Sequence, residues 1–527
     1  MANIKVSQKE LCALSKISPA QVEPILTEIG IPLEKKEGDE LSLEITPNRP
    51  DWLSVEGIAR SCASYSSGSA KKYSAQKSKI GVIMDSSVKS VRPFFAGAYA
   101  TNAKLTPAIL DSLIQLQEKL HDTLGRNRKK LAIGLHDAKN ITPPFTYKAV
   151  SPTSIKFVPL GMGRELDCSQ ILSQHEKGRK YANLVGKKCP IIADKNGKTL
   201  SFPPIINGEL TRVSEKTTSI FIDCTGTHKE SVFSAASILA SALADRGCTI
   251  HTISISGREC DIFKMQKTPL KLKEANSLLG TNLSLQDAKK HLARMGHFLE
   301  GAIVLSPSYR ADILHPVDLA EDMAISIGYN NFEAQLMPVS TIGKSESFQS
   351  LHEACLGLGF FEASSWILTN QRVLENCQIS PEIMARVQNP LTQEFTTLRP
   401  AIYPNLIEIF SNSKSQQMPQ NLYELGPVVK LEGAVRVQQN RLCLARAHPK
   451  SNFSEIHSDL KALLDSLSIS YSLVGAQIEG FIEGRCAKII IGSKDAGIIG
   501  EVHPQVLENF SIEQPVCLFE INSGALL

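Results

Sequence analysis

Apolar residues recur at helical spacing in several stretches of the chain: Leu11 to Ile29 (stopped by Gly30), Leu105 to Leu124, Ser231 to Arg246, Leu272 to Leu279, Leu285 to Met295 and Phe348 to Leu358. Between them, Leu41 to Ile45 and Ala302 to Leu305 read as strands, and an α+β region begins at Val91. Ser54 sits where a helix cap belongs, after a turn that Pro47 and Pro50 make irregular. Ser66 to Lys79, rich in Ser, Lys, Gly and Ala, reads as a solvated linker.

One helix carries a different pattern. Pro316 suits the first helical position, Asp318 falls in the first turn, and Gly328 supplies the stop. At about 100° per residue, Asp318, Glu321 and Asp322 share one third of the circumference, with Leu319, Met323 and Ile327 opposite and Asp312 just upstream. Such a face is either solvated or a hard-cation site, since carboxylate oxygens suit Mg²⁺. Four carboxylates so close repel one another unless a cation or a basic partner sits among them. Spacing leaves the choice open.

Composition narrows the class. A chain of 527 residues, 42% hydrophobic and 21% charged, is ordinary globular protein with room for three or four domains. A net charge of +4 confines any nucleic-acid contact to local patches, such as Arg126-Asn-Arg-Lys-Lys130, itself either a solvated face or an RNA-backbone contact. No stretch of signal-peptide character opens the chain, and none reaches the ~18 apolar residues that span a bilayer, so a cytoplasmic location and no membrane partner are expected. The 12 cysteines contain no Cys-x-x-Cys and read as small buried hydrophobes.

The run Tyr309-Arg310-Ala311-Asp312, Asp318, Glu321-Asp322 and Gly328-Tyr-Asn-Asn331 resembles the central motif of the phenylalanyl-tRNA synthetase β subunits, archaeal and eukaryotic type. The string Thr46 to Arg60 resembles their N-terminal domain. Leu131 to Asp137, Pro143 to Lys148, Lys156 to Pro159, Leu200 to Glu209 and Ile220 to Gly226 resemble their editing domain. Val387 to Pro400, Leu422 to Gly426, Ile482 to Ala487 and Ile498 to Pro504 resemble their catalytic-like domain. The resemblance implies an α+β multidomain chain: an N-terminal α/β module and linker (1–85), an editing domain (86–265), a helix-turn-helix-like domain (266–340) and a class II synthetase-like domain without activity (345–527). Near the C-terminus only Gly484-Arg485 stands where a working class II site needs a glycine-rich stretch ending in Arg, so Arg399 is expected to be structural or interfacial rather than ATP-binding.

The same resemblance implies a phenylalanine–tRNA ligase in which a partner α subunit performs ATP-dependent charging of tRNA(Phe), within a heterotetramer of two α and two β chains. It assigns Mg²⁺, shared with α, to Asp312, Asp318, Glu321 and Asp322. An apolar pocket rejects an added hydroxyl by only about a hundredfold, so such an enzyme needs a second site that hydrolyses Tyr-tRNA(Phe). The resemblance places that site at Ile192, Ser201, Asp223 and Thr225. Asp223 would meet the phenol, Ser201 and Thr225 would orient water, and Asn207 and Glu209 would line the pocket. His136 is either a satisfied structural residue at a strand end or a general base. Two rivals are a scaffold subunit whose editing has lapsed and a free-standing deacylase that needs no α chain.

Overall fold

The computed structural model describes residues 2–334, 336, 343 and 348–526, in two compact units, Met1–Leu336 and Met337–Leu527. The expected boundary near residue 340 lies outside the described residues.

In the first unit, strand Glu40–Ile45 pairs antiparallel with Ala2–Ser7 on one side and Leu33–Glu37 on the other. Its alternation puts Leu41, Leu43 and Ile45 against the helices, each contributing about 2 kcal/mol by burial. The continuous helix read over 11–29 is two: Gln8–Ser15 ends at Lys16, which adopts the left-handed conformation (φ 59°), and Pro19 begins Pro19–Glu28. The Thr46–Arg60 string is a packed corner. Arg49 forks onto Asp51 and stacks 3.6 Å over Trp52, while a Cβ on Gly57 would lie 1.6 Å from the Asp51 carbonyl oxygen. Ser54 caps helix Val55–Ser67 as expected. The stretch read as a solvated linker is anchored midway, because Tyr73 is buried and donates to Asp245, which also pairs with Arg60 and Lys71.

Two sheets follow. The four-stranded sheet runs Thr249–His251, Phe94–Thr101, Ile220–Gly226, Leu131–Asp137, antiparallel throughout. Its small side chains Ala96, Ala98 and Ala100 admit the Ala- and Ser-rich helix Lys229–Asp245 at close range. The seven-stranded sheet runs Ile206–Asn207, Thr199–Phe202, Cys189–Ala193, Phe145–Val150, Gly81–Met84, Ile253–Ile255, Arg258–Cys260. Helices Leu272–Leu279 and Leu285–Arg294, the sheet Gln266–Pro269, Ile303–Ser306, Phe298–Glu300, and helix Pro316–Ile327 then enclose a small core of their own.

The second unit is built on a seven-stranded sheet, antiparallel except at the edge strand Phe361–Glu362, with a separate apolar core on each face. Arg399 is buried within it. Its Nη1 donates to Glu424 Oε1 (2.6 Å) and Ser365 Oγ (2.7 Å), and its Nε donates to the Pro427 carbonyl (3.0 Å). Internal partners thus hold Nη1 and Nε of the guanidinium. Among the described residues, no helix is long and apolar enough to cross a membrane.

Candidate functional site

A cavity of ≈ 340 Å³ opens between helix Pro107–Asp122, strand Leu131–Asp137 and the loop that carries Pro203 to Val213. Asp223 lies at its floor, in a strand whose ladder pairs it with Gly97 on one side and Gly134 on the other. Cross-strand partners share a face, so the absence of side chains beside Asp223 clears the space around its carboxylate. At Gly134 the clearance is complete: a Cβ would lie 2.0 Å from Asp223 Oδ2 and 2.5 Å from His136 Nε2.

Asp223 Oδ2 meets His136 Nε2 at 2.6 Å, and His136 Nδ1 meets Thr211 Oγ1 at 2.7 Å. Thr211 Oγ1 also lies 3.2 Å from the Gly208 carbonyl oxygen and 3.5 Å from that of Leu200. Carbonyl oxygens can only accept, so the Thr211 hydroxyl donates to them while it meets Nδ1 of His136. His136 is fully buried and does not border the cavity. Both its nitrogens are engaged, one by Thr211 and the other by Asp223. Oδ1 of Asp223 takes no hydrogen bond among the described residues and remains for whatever enters.

Strand register brings three of the predicted residues into one row: Ile192 pairs with Ser201, and Ser201 with Asn207. Ser201 and Asn207 border the cavity with Asp223; Ile192, Thr225, Glu209 and His136 do not. The Ser201 hydroxyl is buried without a partner, a polar group awaiting one. Thr225 is likewise buried and unpartnered, but away from the cavity wall. Asn207 donates to the Leu135 carbonyl at 3.3 Å. Glu209 is spent on its neighbours, accepting from the Gly161 amide (2.9 Å) and from Arg212 (3.2 Å), and those two residues, not Glu209, border the cavity.

The basic run 126–130 divides. Arg126, Asn127 and Arg128 all hold positive φ (47°, 52° and 65°), three successive non-glycine residues in a conformation costing about 1 kcal/mol or more each. This left-handed turn returns the amides of Asn127 and Arg128 to the carbonyls of Asp122 and His121 and swings the Arg128 side chain inward. Its Nη1 donates to the Pro204 and Ile205 carbonyls, and its Nη2 to Glu118, at the cavity wall. Arg126 and Lys129 stay exposed. Sequence reasoning missed Gly134, Thr211, Glu118 and His121, and had Arg128 only as one of a basic run. An isolated Gly within the strand pattern Leu131–Asp137 was the one available signal.

The acidic helix resolves differently. Arg310, fully buried, donates from Nε to Asp312 Oδ1 (2.9 Å) and from Nη2 to Asp312 Oδ2 and Asp322 Oδ2 (2.7 Å each). His297 meets Asp322 Oδ2 at 2.5 Å. Burial would raise both aspartates, but the guanidinium outweighs it and holds both below the usual carboxylate range. Asp318 Oδ2 accepts the amides of Leu314 and His315 (2.7 Å each), capping its own helix, and Glu321 accepts from the Tyr329 hydroxyl at 2.6 Å. The basic partner that repulsion called for is therefore Arg310. Among the described residues, no group of three or more His, Cys, Asp or Glu side chains is arranged to hold a metal ion. Taken as a set within this chain, the four acids do not fit a resident magnesium: Asp312 and Asp322 are counter-ions of the buried Arg310, which occupies the space between them, and Asp318 caps its own helix.

The chain matches three family models: the B3/4 domain over residues 101–251, the tRNA synthetase B5 domain over 268–329, and the phenylalanyl tRNA synthetase beta chain CLM domain over 335–523. It is 38% identical to the phenylalanine–tRNA ligase beta subunit of Archaeoglobus fulgidus, covering 97% of each chain. It is 35% identical to that of Methanosarcina acetivorans, covering 98% of this chain and 97% of that one. The crystal structure of an N-terminal fragment of the phenylalanyl-tRNA synthetase beta subunit from Pyrococcus horikoshii superposes with TM-score 0.58 at 32% identity, over 62% of this chain and 99% of the fragment.

Proposed function

Because this chain belongs to the family of phenylalanine–tRNA ligase β subunits, we propose that its first unit carries the editing hydrolase of that enzyme. In an assembly of two α and two β chains, in the cytoplasm, the α subunit joins phenylalanine to tRNA(Phe) with ATP, releasing AMP and pyrophosphate. The cavity on the β chain hydrolyses Tyr-tRNA(Phe). Water adds to the ester carbonyl, the bond to the ribose oxygen breaks, that oxygen takes the proton, and tyrosine leaves as its carboxylate.

The observation that carries this reading is the Thr211–His136–Asp223 chain ending at the cavity floor. A carboxylate held in place from behind, with one oxygen free, accepts a phenol hydroxyl. A phenylalanyl group would leave that oxygen desolvated and unpaired, which is the asymmetry selective editing requires. The unpartnered Ser201 hydroxyl stands beside it to hold water or the ester oxygen. In the assembled α/β complex, Asp223→Ala is expected to abolish Tyr-tRNA(Phe) deacylation. Retention of the wild-type rate would overturn the assignment.

Mg²⁺ belongs to the reaction as the companion of ATP. On this chain, Asp318 and Glu321 are proposed to face a metal site completed by the α subunit, while Asp312 and Asp322 remain counter-ions of Arg310. In the second unit, Arg399 closed onto Glu424 and Ser365 supports placing amino-acid activation on α.

A further inference from the structure

The cavity has a second polar wall, away from Asp223. Glu118 and His121 stand one turn apart on helix Pro107–Asp122, and Arg128 and Lys177 lie against Glu118 at 3.1 and 3.2 Å. The Ile133 amide donates to His121 Nε2 at 2.8 Å, so the neutral ring carries its proton on Nδ1. Burial pushes this imidazole down to about 4, and the ring is neutral at physiological pH. The Nδ1–H is buried in a residue that borders the cavity, and it has no partner. Glu118 Oε2 faces it at 3.8 Å, too far for a hydrogen bond.

A hydroxyl oxygen about 2.8 Å from both atoms bridges that gap, accepting from Nδ1–H and donating to the carboxylate. Two hydroxyls of a tyrosyl ester of tRNA could do so, the phenol and the free ribose hydroxyl beside the ester. Position decides between them. The side chains of Glu118 and Lys177 are 40% and 44% exposed, whereas that of Asp223 is 2% exposed. Glu118 and Lys177 therefore mark the mouth, where the nucleotide must stay; the His121 side chain, 2% exposed, lies just inside them, and Asp223 is at the floor. Arg128, whose Nε is also buried without a partner, and Lys177 add the positive charge that suits the phosphate following a ribose.

We propose that His121 and Glu118 form a ribose subsite gripping the hydroxyl vicinal to the ester, with Arg128 and Lys177 placed for the adjoining phosphate. This rests on the editing reading of the cavity and fixes the substrate's direction in it, amino acid inward and terminal nucleoside outward.

The test is a cycle run on the assembled α/β complex. Its substrates are Tyr-tRNA(Phe) and the same ester on a terminal deoxyadenosine lacking the vicinal hydroxyl. The variants are Glu118→Gln and His121→Gln; the first leaves the Ile133–His121 bond untouched and stands alone if the second misfolds. Removing the hydroxyl is expected to lower wild-type kcat/KM about tenfold. Each variant should lose about the same on the normal ester and nothing more on the deoxy ester. Variants as sensitive to the missing hydroxyl as wild type overturn the proposal. So does a variant that changes the Tyr-over-Phe ratio while keeping the deoxy effect, since the wall would then read the phenol. Loss of hydrolysis in Asp223→Ala alongside either result confines the failure to the ribose subsite, whereas a wild-type complex that hydrolyses no Tyr-tRNA(Phe) removes the editing reading as well.

Discussion

Two buried aspartate clusters in the first unit begin alike and end differently. Asp223 and Asp322 are both almost inaccessible, and both receive a histidine Nε2 at about hydrogen-bond length. Beside Asp322 stands Arg310, whose planar fork bonds two carboxylates at once and fills the space between them with positive charge. Beside Asp223 stand glycines and a cavity, and among the described residues its side chain bonds to a ring fixed from behind by Thr211. A guanidinium turns buried acids into a lock. A histidine whose far side is already satisfied leaves one carboxylate oxygen for a ligand.

The sharpest way to break that contrast is to remove the lock. Arg310→Met leaves Asp312 and Asp322 buried without compensation and is expected to cost about 3–5 kcal/mol in chemical unfolding. Its acid limb should also reverse. In the wild type both folded pKa values are depressed, so their stabilisation is full above the unfolded value near ~3.9 and is lost as pH falls through the folded values. The variant, with both raised by burial, should gain relative stability on acidification. A wild-type slope in the variant would show that Arg310 does not hold these groups.

Filling the open cluster comes next. Gly134→Ala drives a methyl into Asp223 and His136, and a displacement of about 1 Å in a positioned group costs on the order of a hundredfold in rate. Tyr-tRNA(Phe) deacylation by the assembled complex should fall by about that factor, and an undiminished rate would mean the carboxylate's placement is immaterial. The smallest effect belongs to the acids outside the lock. Glu321→Gln, on an exposed side chain, should change stability by less than about 0.5 kcal/mol, yet weaken α–β association in gel filtration at low Mg²⁺. An unaltered elution profile across the Mg²⁺ series would remove Glu321 from the interface.

Much of the chain was legible before folding. Helix Leu272–Leu279, the Ser54 cap and the Pro316 and Gly328 bounds of the acidic helix follow from spacing and from the backbone habits of Ser, Pro and Gly, which act over a few residues. The break at Lys16 was not, because a left-handed non-glycine residue leaves little mark in composition. At the acidic helix the sequence supplied the charges but not their partner. Arg310 was in view, two residues from Asp312, yet whether it or a cation answered them depended on a buried fork that also reaches across to Asp322.

By itself, then, the sequence determined the family, the order of the domains and the presence of Asp223, Ser201 and Asn207 among the candidates, since motifs and periodicity are local properties. Only the tertiary structure decided that these three meet at one cavity while Glu209 and Thr225 do not, and that His121 and Glu118 face it from the opposite wall. Those outcomes depend on which strands pair and in which register, and on a strained turn that folds Arg128 inward. Such distances are set between residues far apart in the chain, where no local pattern records them.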